Sequence, residues 1–186
     1  MSTRDLVHVA LFAAIVAALG LIPPLTVGFI PVPITAQSLG VMLSGAILGA
    51  KRGGLAVLVF VLLVAIGLPV LAGGRGGLGI FFGPSGGFVL AFPIAAFTIG
   101  WLIERLWDRL GFVTALASIL AGGVGIIYAI GVPWLAVAAN LSLVQAITGS
   151  AAFLPGDGIK AAVAAMICVT IKRAYPVIRP GHAGHG

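Results

Sequence analysis

The chain is 186 residues long, 61% hydrophobic and only 8% charged, with a formal net charge of +6 and a mean hydropathy of +1.25. Soluble domains carry about 25% charged residues, so a sizeable soluble domain is excluded and an all-α integral membrane protein is expected. The positive balance does not indicate nucleic acid, because the basic residues form no stripe with interleaved aromatics and sit instead at the ends of apolar segments.

In chain order the apolar runs predict six membrane spans: about 6–23, 34–50, 54–71, 88–106, 112–130 and 158–174. A cleavable signal is not expected, because no small-residue cleavage site follows the first run. That run repeats small residues at Ala10, Ala14 and Ala18, with Ala13 and Ala17 beside them. Such faces let helices approach closely, within the protein or against a partner. In the second run, Gly45 and Gly49 read as internal packing. Gln37 and Ser44, seven residues apart, share a helix face and are expected to line a cavity.

The loop 72–87 has eight glycines in sixteen residues. Its backbone is free to approach a ligand, and Phe81 and Phe82 give it apolar anchors that plain linkers lack. It reads as a lid. Residues 134–153 are long enough to span but are interrupted by Asn140, Ser142, Gln145, Thr148 and Ser150. They are expected to be helical and packed at the outer mouth, or re-entrant.

Charge bias sets the span count. With six spans and both termini cytoplasmic, Arg4, Lys51, Arg52, Arg105, Arg109, Lys172, Arg173 and Arg179 lie inside, eight of the ten basic residues. A seventh span would export three of them. Asp5, Glu104 and Asp108 fall on the same side. Only Arg75, Asp157 and Lys160 remain outside. Residues 1–180 thus read as one six-helix membrane domain and 181–186 as a short tail, in the cell (plasma or inner) membrane.

The segment Leu154-Pro155-Gly156-Asp157-Gly158-Ile159-Lys160 carries the strongest chemical signal. Pro155 and Gly156 are expected to end the preceding element, with Asp157 as N-cap of the last helix. Three residues apart, Asp157 and Lys160 share a face. Each charge costs about 2.5–3.5 kcal/mol at mid-membrane depth, so the pair is expected to face a polar cavity or a ligand.

Other motifs fail on context. Gly74 to Gly79 matches G-x-G-x-x-G, but no strand precedes it. Gly83-Pro84-Ser85-Gly86-Gly87 matches G-x-S-x-G, but a serine nucleophile needs a nearby base. The histidines, His8, His182 and His185, fall on the opposite side. Asn140-Leu141-Ser142 is a formal sequon without supporting context. No P-loop occurs, so any ATP hydrolysis belongs to a partner. No metal site is expected.

Three stretches together resemble the substrate-binding S-component of energy-coupling-factor vitamin transporters, of the biotin-binding BioY type. They are Val32-Pro33-Ile34-Thr35-Ala36-Gln37-Ser38-Leu39-Gly40-Val41-Met42-Leu43, Gly76-Gly77-Leu78 leading to Gly83-Pro84-Ser85-Gly86-Gly87-Phe88, and the segment 154–160. Ser85 stands where threonine is expected and Ala91 where glycine is common. The resemblance implies six helices, no enzymatic activity, and a vitamin site near the outer surface under the 72–87 loop. It also implies a first helix that docks through Ala10, Ala14 and Ala18 on a transmembrane coupling protein, with two ATPase subunits completing the complex. Biotin is then the transported ligand and no cofactor is needed. Its chemistry fits these residues. Asp157 accepts from the ureido N–H groups. Lys160 or Arg75 meets the ureido carbonyl or the carboxylate, which the backbone of Gly73 and Gly74 also suits. Phe81, Phe88 and Trp134 cover the apolar ring, and Gln37 adds a polar group. The alternatives are an S-component for another vitamin and an intramembrane serine hydrolase using Ser85.

Overall fold

A computed structural model describes residues 1–26, 29–174 and 177–178. Among them the secondary structure is helical, with only two isolated bridges, Leu25–Ile34 and Leu71–Arg75. Arg179, His182 and His185 lie outside the described residues.

Helix α1 (Thr3–Leu19) opens on a capping box. Ser2 Oγ accepts from the Asp5 N–H, and the Asp5 carboxylate accepts from the Ser2 N–H. Helix α2 (Gln37–Leu48) is separated from α3 (Ala50–Ala65) by Gly49, whose φ of +84° suits glycine. This left-handed residue starts α3 earlier than apolar patterning suggests. Gly67, at φ +103°, follows its end.

The lid region holds a one-turn helix, α4 (Gly79–Phe82). Helix α5 (Gly86–Arg105) packs most extensively, against α3, α2 and α7. Helix α6 (Phe112–Leu120) continues through a π-helical stretch, Ala121–Ile126, into α7 (Ile127–Ala138). These form one continuous helix. Helices α8 (Leu143–Ser150) and α9 (Leu154–Ala174) are joined by a 3₁₀ turn at Ala151–Phe153. Three helical stretches, Gly86–Arg105, Phe112–Ala138 and Leu143–Ala174, are long and apolar enough to cross a membrane.

Residues 134–153 are not one element. Trp134–Ala138 finishes α7, Asn140 turns the chain at φ +52°, and Ser142 caps α8 with its hydroxyl accepting from the Gln145 N–H. Nor does α9 begin at Asp157. It begins at Leu154, because proline is tolerated in a first turn, where its missing N–H has no intrahelical partner.

Close packing uses the small residues. A Cβ on Gly45 would meet Ile99 Cβ at 2.9 Å, so Gly45 is where α2 presses on α5. On α1, Ala13 is buried while Ala10, Ala14 and Ala18 are exposed. The alanine stripe therefore remains open after the bundle has packed.

Candidate binding site

Near the starts of α5 and α9, two adjoining cavities of about 60 and 50 Å³ share walls formed by Val32, Pro33, Thr35, Phe88 and Phe92. The first reaches Asp157, Lys160, Ser38 and Tyr128. The second reaches Gln37, Arg75 and Ser85.

Asp157 is the fourth residue of α9 and is buried at 6% exposure. Its carboxylate caps no backbone and serves the cavity. Oδ1 lies 2.6 Å from Lys160 Nζ and 3.3 Å from Ser38 Oγ. Oδ2 accepts from the Tyr128 hydroxyl at 2.8 Å. A carboxylate offers about four acceptor positions, so one stays open. Lys160 is differently placed. Its ammonium donates to Ser38 Oγ at 2.7 Å and to the Thr35 carbonyl at 3.0 Å, besides Asp157. All three donors are engaged, so an incoming acceptor must exchange for one of these contacts.

The walls are aromatic. Phe88 packs edge-on against Tyr128 and Phe153, with both ring centroids 6.4 Å away. Pairs of this kind favour tilted geometry and give a shaped slot beside the charge pair.

At the other end, Arg75 donates from Nε to the Ala72 carbonyl at 3.1 Å and from Nη1 to Ser85 Oγ at 3.4 Å. Guanidinium has five N–H donors, so three are left for a ligand. Ser85 is buried against this arginine, and His8 lies in a groove near the far end of α5. Among the described residues Ser85 therefore has no imidazole base beside it.

Gln37 lines the second cavity, but its amide is fully used. Nε2 donates to the carbonyls of Val16 at 3.1 Å and Val70 at 3.0 Å, and Oε1 accepts from the Ala72 N–H at 2.9 Å. The residue clamps α1 and α2 to the base of the lid. Ser44 departs from expectation: it is fully buried and its hydroxyl bonds back to the Gly40 carbonyl at 2.7 Å. Removing the clamp strands two buried backbone groups, the Val16 carbonyl and the Ala72 N–H, each costing about 1–3 kcal/mol. Gln37→Leu is expected to lower the thermal midpoint and to speed amide exchange at Leu71–Arg75, which hydrogen-exchange mass spectrometry reads directly.

The lid is ordered by hydrogen bonds. Leu71 and Arg75 pair through both backbone N–H groups, and the Gly77 N–H donates to the Val64 carbonyl at 2.7 Å. Trp134 Nε1 donates to the Gly83 carbonyl at 3.0 Å, so this indole holds the lid and lies outside both cavities. Phe81 packs on the adjoining core. Gly73 and Gly74 line a separate outer groove.

The structure therefore brings Asp157, Lys160 and Phe88 together at one cavity, with Gln37 and Arg75 at the adjoining one. Sequence reasoning missed Tyr128, Thr35, Ser38, Phe92 and Phe153. A tyrosine inside an apolar helix was the available signal, because its hydroxyl needs a partner there.

The BioY family model matches residues 1–177. The chain is 55% identical to a biotin transporter BioY of Rhizobium etli over 183 residues, 96% of this chain and 98% of that one. It is 49% identical to a probable biotin transporter BioY of Bacillus subtilis, covering 91% of each chain. Its fold is similar to the crystal structure of the S-component for biotin from an ECF-type ABC transporter, with a TM-score of 0.88 and 35% identity, over 93% of this chain and 95% of that one.

Proposed function

The chain belongs to the BioY family, and we propose that it is a biotin-binding membrane subunit that takes up biotin when partner proteins supply the energy. The observation that carries the reading is the Asp157–Lys160 pair. It is held by Ser38, Thr35 and Tyr128 beside an aromatic wall. This is a ligand site's mixture of few polar groups and much apolar surface.

Biotin's ureido ring belongs at Asp157, where one acceptor position stays open beside Tyr128. One of its N–H groups meets the carboxylate there, and its carbonyl exchanges for the Thr35 carbonyl on Lys160. The apolar ring then lies between Phe88, Phe92 and Phe153. The valerate carboxylate reaches Arg75, the cation with unused donors. Both cavities are far smaller than the ~300 Å³ at the lower end of ligand pockets, so the 72–87 lid must lift to admit the ligand.

The role of Arg75 is tested by competition between biotin and its primary amide. A charge-assisted hydrogen bond exceeds a neutral one by roughly 1 kcal/mol. Wild type is expected to prefer biotin about five- to tenfold, and Arg75→Gln to lose the preference. An unchanged preference in Arg75→Gln removes Arg75 from the carboxylate end.

We assign six spans to α1, α2, α3, α5, the α6–α7 helix and α9, in one domain of the cell membrane with both termini cytoplasmic. The grouping of Arg4, Lys51, Arg52 and Glu104 at one end, away from Asp157, supports that orientation. The exposed Ala10, Ala14 and Ala18 stripe offers a flat face for a transmembrane coupling protein, which ATPase subunits would drive.

A further inference from the structure

At the end of the bundle remote from Asp157, a groove of about 660 Å³ lies between the start of α1, the start of α3 and the end of α5. It is lined by three cations, Arg4, Lys51 and Arg52, and by two anions, Asp5 and Glu104. Both anions are engaged. Asp5 is 3.2 Å from Arg52, and Glu104 Oε1 accepts from the Ala50 N–H at 2.9 Å. Lys51 is exposed and makes no hydrogen bond or ion pair among the described residues.

Past Lys51 the groove runs into a second trough of about 570 Å³ between α3 and α5, and the two share Met1, Lys51, Arg52 and Phe97. Its far walls are Leu55, Leu58, Pro93 and Ile94. At the base of the trough α5 closes directly on Gly54 of α3, since a Cβ there would lie 3.2 Å from Phe97 Cβ. From Lys51 to Leu58 the trough follows α3 for about 10 Å.

We propose that this groove seats one anionic phospholipid, with its phosphate at Lys51 and one acyl chain along Leu55, Leu58 and Ile94. A cation at the mouth of a hydrocarbon-lined trough matches the two ends of such a lipid. A peptide entering the trough would have to satisfy its own backbone groups, whereas an acyl chain has none. The site is separate from the vitamin cavity, so it survives if the biotin reading fails.

The test is native mass spectrometry of the full chain in detergent, with phosphatidylglycerol and phosphatidylcholine added at equal concentration. Wild type is expected to retain phosphatidylglycerol preferentially. Lys51→Gln is expected to reduce that preference about fivefold, the usual worth of one basic residue at a membrane surface. Leu58→Ser is expected to weaken retention of both lipids. Monodisperse gel filtration and an unchanged thermal midpoint without added lipid establish that both variants are folded. Equal retention of the two lipids by wild type overturns the proposal, as does unchanged preference in Lys51→Gln. Competition by millimolar inorganic phosphate as effective as that by lipid also overturns it, because the groove is then only an anion site. If Lys51→Gln leaves lipid retention intact and instead weakens capture of the coupling protein, the groove is a protein contact and the proposal falls.

Discussion

Asp157→Asn is expected to weaken biotin binding by about 10- to 150-fold in equilibrium dialysis with labelled ligand. The substitution keeps the shape and removes the charge. The charge-assisted hydrogen bond from a ureido N–H to the open acceptor position is lost, at about 1.5–3 kcal/mol, and each 1.4 kcal/mol is tenfold in affinity. The amide also turns its Nδ2 toward a group that already donates, either Lys160 or Tyr128. The variant still folds, because Lys160 retains Ser38 and the Thr35 carbonyl. Affinity within threefold of wild type would place biotin's ureido ring elsewhere.

Lys160→Met is expected to damage both affinity and stability. The methionine fills the same channel but leaves the Asp157 carboxylate without its cation at 6% exposure. It also cuts the tie between α9 and residues 35–38. Removing one partner of a buried pair costs about 3–5 kcal/mol. Here the lower end applies, because Tyr128 and Ser38 still donate to the carboxylate. The double variant Asp157→Asn/Lys160→Met removes the stranded charge. Its thermal midpoint is expected to recover above that of Lys160→Met, while biotin binding stays lost. Scanning fluorimetry reads the first result and dialysis the second. A double variant less stable than either single one would mean that the pair is not coupled as described.

The charge pair was legible because its cost in a membrane segment is high and its three-residue spacing fixes a shared helix face. The partners that complete it were not. Tyr128 meets Asp157 from 29 residues away, across helices whose relative rotation no local pattern encodes. Gln37 was visible as a polar residue in an apolar helix. That it holds the lid to α1 depends on backbone carbonyls exposed only where α1 ends and the 66–72 segment turns.

Boundaries failed where single residues tip a local balance. Pro155 reads as a break but sits in the first turn of α9, where proline is tolerated. Asn140 does break the chain, because asparagine accepts a left-handed backbone more readily than most residues. That one turn divides residues 134–153 between two helices. Spans such as α5 were legible over almost their full length, since a continuous apolar run between charged or glycine-rich ends leaves little choice.

Calorimetric titration of biotin into the purified, detergent-solubilised chain decides whether the cavity between α2, α5, α7 and α9 takes biotin against Asp157 and Lys160. Saturable one-to-one binding is expected at nanomolar to low-micromolar biotin, and Asp157→Asn is expected to weaken it. No saturable heat from a monodisperse, cooperatively melting sample would rule the site out.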